Sequence, residues 1–79
     1  MEYYVYKINE DHEIIEGRRI KVYGISVFLK NTSKSKNPLA EVHGITSLYY
    51  SITEILKFVV KFKPSPIHLK DVIDDILAR

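Results

Sequence analysis

The sequence predicts a small α+β fold, in which a three-stranded antiparallel meander is followed by two helices packed on one face of the sheet. Apolar residues alternate with polar ones in the first half of the chain, which is typical of strands with one buried face. The last third has two helix-period apolar patterns, separated by Lys63-Pro64-Ser65-Pro66. At 79 residues, we expect residues 1–79 to form one domain with the order β-β-β-α-α.

The first predicted strand runs from Tyr3 to Ile8, and its three tyrosines are typical of a pleated surface. Alternation places Tyr4, Tyr6 and Ile8 on one face. The polar residues Asn9–His12 predict a turn, after which Glu13–Glu16 either continue the pairing or lie in the loop. Gly17 supplies the backbone freedom for a tight reversal.

The second predicted strand, Arg19–Lys30, contains two apolar sets of different parity that meet at Gly24. A β-bulge or bend at this glycine would bring both sets to the core, and we favour that interpretation. Strict alternation is the alternative. The first set is Ile20 and Val22, the second is Ile25, Val27 and Leu29, and strict alternation instead places Tyr23, Ile25, Val27 and Leu29 inside.

A loop is predicted over Asn31–Pro38, where serine, threonine, asparagine, lysine and proline follow one another. Leu39–Thr46 predicts a third strand that pairs with the second through this loop. Together these segments form the predicted meander.

The first helix is predicted to begin near Ser47 or near Ser51, where Ser51 and Glu54 match a capping box, and to end at Pro64. Ser65-Pro66 predicts the start of the second helix, with serine as N-cap and proline in the first turn. Helical spacing predicts the residues of each inward stripe. They are Leu48, Ile52, Ile55, Leu56, Val59 and Phe62 in the first helix, and Leu69, Val72, Ile73, Ile76 and Leu77 in the second.

Composition favours a folded, cysteine-free protein of the cytoplasm. The chain is 46% hydrophobic and 28% charged, which is ordinary for a globular protein, and it has no cysteine for disulfides or thiolate metal sites. The first residues lack the basic and apolar regions of a secretory signal, and no apolar run approaches the length of a membrane span. We therefore expect a cytoplasmic location and no membrane contact.

The tail Pro66-Ile67-His68-Leu69-Lys70-Asp71-Val72-Ile73-Asp74-Asp75 resembles a recurring segment in a small domain family of Firmicutes. That family is a domain of unknown function. Its layout is similar as well, with a Tyr-Gly turn inside a strand, here Tyr23-Gly24-Ile25, before the helical segments. The resemblance implies a cytosolic bacterial protein and carries over no activity, cofactor or catalytic residue.

His68 and Asp71 form the sharpest candidate pair for chemistry, because an i, i+3 spacing near a helix start allows a carboxylate–imidazole dyad or two metal ligands. No nucleophile or further ligand is spaced to complete such a site, so a structural histidine is favoured. Asp71, Asp74 and Asp75 lack the spacing of a calcium loop. We expect no enzymatic activity, no catalytic residue, no cofactor and no metal.

Protein association is the leading functional interpretation, because the chain has more apolar residues than two inward stripes and one sheet face require. A homo-oligomer or another protein is the expected partner, and the first strand is a candidate for pairing at a sheet edge. The expected contact residues are aromatic. They are Tyr3, Tyr4, Tyr6, Tyr49, Tyr50 and Phe58.

Nucleic-acid binding is the alternative. Residues 17–36 contain six basic residues and no acid, whereas residues 1–16 contain five acids and one lysine. Cross-strand charge pairing is favoured over a charged binding face as the explanation of this separation. A basic loop beside exposed tyrosines is what single-stranded binding requires. The basic residues in question are Arg18, Arg19, Lys21, Lys30, Lys34 and Lys36.

Overall fold

A computed structural model describes residues 4–30 and 37–78 of the chain. It confirms the predicted α+β fold, with three antiparallel strands in the order β1-β2-β3 followed by two helices packed on the sheet. The strands are β1 (Tyr4–Ile15), β2 (Arg18–Leu29) and β3 (Ala40–Thr46). The helices are α1 (Tyr49–Phe62) and α2 (Leu69–Leu77), and a 3₁₀ turn, Pro66–His68, directly precedes α2.

Strands β1 and β2 form one unbroken hairpin from the pair Tyr4–Leu29 to the pair Ile15–Arg18. The two connecting residues, Glu16 and Gly17, have φ angles of 51° and 75°. Two left-handed residues make a turn whose twist matches that of the strands, and glycine adopts such a φ without strain. Gly17 therefore makes the predicted reversal.

The turn predicted at Asn9–His12 is wrong, because these residues lie within β1. Polar composition suggested a loop, but the side chains from Asp11 to Arg19 are exposed, so polar residues are compatible with the strand there. Pairing between β2 and β3 begins only at Tyr23 of β2. Residues 11–22, which form the turn end of the β1–β2 hairpin, therefore extend beyond β3. We call residues 11–22 the arm, and they contribute to dimensions of 46 × 32 × 19 Å.

The bulge predicted in the second strand is wrong, because the irregularity lies in β3. The β1–β2 register is continuous, whereas the β2–β3 register shifts between Tyr23 and Ile25. Gly44 of β3 has a φ of 63° in this segment. A Cβ at Gly24 would lie 1.9 Å from the Val42 carbonyl oxygen, so the close approach of β3 explains the glycine. Strict alternation is therefore the correct interpretation of β2.

Helix α1 begins after the N-cap Leu48, and no side chain caps it, so the predicted capping box of Ser51 with Glu54 is wrong. Ser51 lies inside the first turn. Thr46 Oγ1 instead accepts a hydrogen bond of 3.1 Å from the Leu48 backbone N–H. At the other end, Lys63 adopts a left-handed φ of 50° before Pro64 ends the helix.

The predicted start of the second helix at Ser65-Pro66 is found as the 3₁₀ turn, with proline in its first turn and Ser65 as N-cap without a side-chain hydrogen bond. The His68 backbone N–H donates instead to the Ser65 carbonyl at 2.9 Å. Proline suits this position because its missing N–H would have no partner there.

The core lies between the sheet and the two helices. The buried apolar side chains that form the core cluster come from β2, α1 and α2. They are Ile25, Val27, Ile52, Ile55, Val59, Leu69 and Ile73. Three members of the predicted inward stripes, Leu48, Phe62 and Leu77, are instead about half exposed or more, at 63%, 48% and 53%. Each of these residues lies at an end of a helix, Leu48 and Phe62 at the two ends of α1 and Leu77 at the end of α2.

Candidate interaction surface

The aromatic residues predicted to form a contact surface are divided between the core and the surface. Tyr4 and Tyr6 lie on the inner face of β1, half-buried, and pack against the core. Tyr49, Tyr50 and Phe58 of α1 are 57%, 75% and 45% exposed. Tyr3 lies outside the described residues. The three helical residues therefore lie on one element, whereas the two described strand tyrosines are partly buried by core packing.

Tyr49 has a partner within the chain. Its ring meets that of Tyr23 edge to face, with centroids 5.4 Å apart and an interplanar angle of 74°. Such a contact contributes about 1 kcal/mol beyond the area that it buries. Tyr49 thus links the start of α1 to β2.

Apolar side chains at the surface outnumber those inside. In the described residues, eight hydrophobic side chains are buried, whereas eleven large hydrophobic side chains are exposed. A domain of this size has little core to spare, and exposed apolar area of this extent is typical of surfaces covered by a partner. Five of the eleven lie on α1. They are Tyr49, Tyr50, Phe58, Val60 and Phe62.

The outward side of α1 is a basic and aromatic ridge. Its residues recur every three or four positions, so they follow one side of the helix opposite the buried Ile52, Ile55 and Val59. We call this surface the α1 ridge, and it consists of Tyr50, Glu54, Lys57, Phe58 and Lys61. Lys57 Nζ lies 3.4 Å from Glu54 Oε2, and its side chain is 75% exposed. An exposed pair of this kind contributes little to stability, so its charges are available to a partner.

An open groove of about 450 Å³ lies between the end of α1 and the start of α2. We call it the interhelical groove, and its lining residues are Phe62, His68, Asp71, Val72 and Asp75. Phe62 and Val72 supply apolar walls, and the two aspartates supply negative charge. A groove of this composition suits a side chain with an apolar body and a cationic end.

The predicted pair of His68 and Asp71 is present at the groove. His68 Nδ1 lies 3.8 Å from Asp71 Oδ2, and their side chains are 64% and 79% exposed. None of the groove-lining residues is a serine, threonine, cysteine or lysine. With solvent on both partners, the pair lacks the desolvated setting that general acid–base catalysis uses.

The three aspartates of α2 do not converge on one point. Asp74 Oδ2 accepts a hydrogen bond of 2.9 Å from Lys70 Nζ, and that bond raises the pKa of Lys70 above its usual value. Asp74 does not line the groove, unlike Asp71 and Asp75. In residues 4–30 and 37–78, no three histidine, cysteine or acidic side chains come together as a metal site.

A polar network on the sheet face opposite the helices was not predicted from the sequence. Asn9 Nδ2 donates to Ser26 Oγ at 2.8 Å, and Ser26 Oγ donates to Glu41 Oε2 at 3.0 Å. His43 Nε2 lies 3.6 Å from the same carboxylate oxygen. Because the histidine contacts the glutamate and not the serine, it cannot act as the base for the serine hydroxyl. Gly24 was the available signal, since it lets Asn9 reach across β2 to the Val42 carbonyl at 3.4 Å.

The basic residues predicted for nucleic-acid binding do not form one patch in the described structure. Arg18 and Lys30 stand at opposite ends of the second strand, which at 3.3 Å per residue puts them about 40 Å apart. Lys21 Nζ lies 3.8 Å from Glu10 Oε2, so cross-strand charge pairing is present in the hairpin. Arg19 lies beside Arg18 on the arm. Lys34 and Lys36 lie outside the described residues.

Neither described helix is both long enough and apolar enough to cross a membrane.

Comparison with known proteins assigns the chain to a family. The model of a family described as "Family of unknown function (DUF6514)" matches residues 1–79. The chain belongs to the DUF6514 family. No curated protein and no solved structure matches it.

Membership in DUF6514 confirms the predicted resemblance to a small domain family of unknown function, and the match covers the whole chain. The two segments that carried the resemblance have distinct roles in the DUF6514 fold. Tyr23-Gly24-Ile25 lies where β3 shifts register, and Pro66–Asp75 forms the 3₁₀ turn and most of α2.

Proposed function

We propose that this DUF6514 protein is a non-enzymatic interaction module that self-associates through its two-helix layer. The observation that carries the proposal is the excess of exposed over buried apolar side chains in the described residues, with the largest share on α1. Removing such side chains from water is the main driving force of protein association. A cytoplasmic bacterial setting is part of the proposal, and it derives from the sequence resemblance.

The charges of the two helices favour a second copy of the chain as the partner. Helix α1 and the residue after it contain three lysines and one glutamate, whereas α2 contains three aspartates and one lysine. The α1 ridge of one subunit therefore has the sign that complements the interhelical groove of the other. In a two-fold symmetric dimer this contact occurs twice, because each subunit supplies both surfaces.

Aromatic residues are the expected anchors of this contact. Phe58 is adjacent to Phe62 on successive turns of α1, so the edge of the ridge is continuous with the wall of the groove. In the proposed dimer, Tyr50 and Phe58 pack against the apolar wall that Phe62 of the partner subunit provides. Tyrosine and phenylalanine supply large contact areas and are common at energetically important interface positions.

The sharpest test exchanges the charges of the two surfaces. The ridge variant carries Lys57→Glu and Lys61→Glu, and the groove variant carries Asp71→Lys and Asp75→Lys. Each variant alone places like charges across both contacts, so each is expected to be monomeric. An equimolar mixture restores attraction at both contacts and is expected to form a heterodimer.

The mixture is analysed by native mass spectrometry with one variant isotopically labelled. Heterodimer formation by two monomeric variants supports the proposal. The proposal is wrong if both variants remain homodimers, or if the mixture stays monomeric while each variant keeps the circular dichroism spectrum of the natural chain. The matched control is Lys70→Glu with Asp74→Lys, which exchanges charges away from the groove and is expected to leave self-association unchanged.

Nucleic-acid binding remains the alternative prediction. It requires Lys30, Lys34 and Lys36 to act as one basic cluster on the β2–β3 connection. Changing all three to glutamate should abolish oligonucleotide binding, and binding by the natural chain should weaken steeply with added salt. Absence of salt-sensitive oligonucleotide binding by the natural chain excludes this alternative.

A further inference from the structure

We propose that the arm binds an extended acidic segment of another protein, which adds as a strand to the free edge of β2. In the described chain, β3 pairs with β2 only from Tyr23 to Val27. From Arg18 to Val22, β2 therefore has β1 on one side and no described strand on the other. The open edge begins where β3 turns toward α1.

The backbone of this edge is suited to strand addition. An edge strand presents backbone N–H and C=O groups that a further strand satisfies, and five residues offer about 17 Å of pairing length. A two-stranded ribbon is only marginally stable in water, whereas a third strand adds stability. The arm is such a ribbon, and its residues 11–19 are all exposed.

The side chains beside the edge define the partner's pattern. Arg19 and Lys21 lie on one face of β2, and Ile20 and Val22 lie on the other, because successive strand residues alternate. An added strand meets the exposed Arg19 and Lys21 and the half-buried Ile20 as cross-strand pairs, whereas Val22 is already buried within the chain. The matching segment therefore has acidic residues at every second position and apolar residues between them.

Charge also selects which edge of the arm is used. The opposite edge belongs to β1, where Asp11 repels an acidic strand, whereas β2 carries Arg18, Arg19 and Lys21 beside its open edge. An acidic segment is thus directed to the β2 edge.

The binding test uses the natural chain and a fluorescein-labelled peptide with glutamate and valine at alternate positions, followed by fluorescence anisotropy. Saturable binding is expected. A second peptide of identical sequence, N-methylated at alternate residues along its β2-facing edge, is expected to bind at least about tenfold more weakly because it cannot complete the backbone pairing. Equal binding of both peptides, or no saturable binding of the first, overturns the proposal.

Three double variants locate the site. Arg19→Glu with Lys21→Glu is expected to weaken binding by about tenfold or more, and Arg19→Gln with Lys21→Gln to weaken it less. Lys57→Glu with Lys61→Glu changes the same number of charges on α1 and is expected to keep peptide binding. Because that last variant removes the proposed self-association, failure of one proposal is distinguishable from failure of the other.

Discussion

The phenol of Tyr6 donates a hydrogen bond of 2.5 Å to the backbone carbonyl of Pro64, 58 positions further along the chain. Tyr6 belongs to β1, and Pro64 is the buried residue at which α1 ends. The bond therefore fastens the end of α1 to the first strand. It also gives the carbonyl of this buried residue a hydrogen-bond partner.

Replacing Tyr6 with phenylalanine removes this bond and leaves the Pro64 carbonyl without its donor. We expect the free energy of unfolding to fall by about 1 kcal/mol. Urea denaturation followed by circular dichroism measures the change. Tyr50→Phe is the control, since Tyr50 is 75% exposed, and it should change stability little. An equal effect of the two variants would contradict the role assigned to the Tyr6 hydroxyl.

Stability should also depend on pH through Tyr6. Burial, and then the neighbouring Tyr4, raise the pKa of Tyr6 above its ordinary value of 10.0. The folded state therefore favours the neutral phenol. This contribution is fully present below pH 10.0 and is lost as the pH rises through the folded pKa, because the unfolded chain releases the proton first. The difference in unfolding free energy between the natural chain and Tyr6→Phe should shrink over that range, and a constant difference would be inconsistent with the shift.

Gly24→Ala tests the close approach of β3 to β2. The added Cβ would lie 1.9 Å from the Val42 carbonyl oxygen and 2.6 Å from Asn9 Oδ1, so the backbone must move. We expect a loss of about 3 kcal/mol, typical of overpacking at a buried site. Gly17→Ala is the matched control, because nothing lies within 4 Å of its Cβ and only its φ of 75° is unfavourable. That control should cost about 1 kcal/mol, and thermal unfolding of both variants gives the comparison.

Phe58→Asp separates association from folding. Phe58 is 45% exposed, so the substitution should leave the circular dichroism spectrum unchanged while it converts the proposed dimer to monomer. Ile52→Ala, at a fully buried position, is the contrasting variant and should destabilise the fold by about 3 kcal/mol. Size-exclusion chromatography with light scattering reports the mass of each. Unfolding by Phe58→Asp would place its side chain in the core and remove it from the interface.

Much of the fold was predictable because single residues decide local geometry. Gly17 signalled the hairpin reversal, Pro64 the end of α1, and Pro66 the 3₁₀ turn before α2. Alternation placed Tyr4, Tyr6 and Ile8 on one face of β1, and in the structure that face packs against the core. These are local signals, and no tertiary contact opposed them.

The errors arose where a distant segment decides the structure. Asn9–His12 look like a turn by composition, but pairing with β2 extends the strand through them. Gly24 suggested a bulge in its own strand, whereas the strand that shifts is β3, around Gly44. Of the predicted surface, Tyr50 and Phe58 were identified by helical spacing, but the interhelical groove depends on how α2 packs and has no signature in the sequence.

Sedimentation equilibrium of the natural chain over a range of concentrations tests the central claim most directly. The expected result is a reversible approach to twice the chain mass of 9.2 kDa as concentration rises, with weaker association at high salt. A mass of 9.2 kDa that stays constant at every concentration, low salt included, would contradict self-association through the two-helix layer.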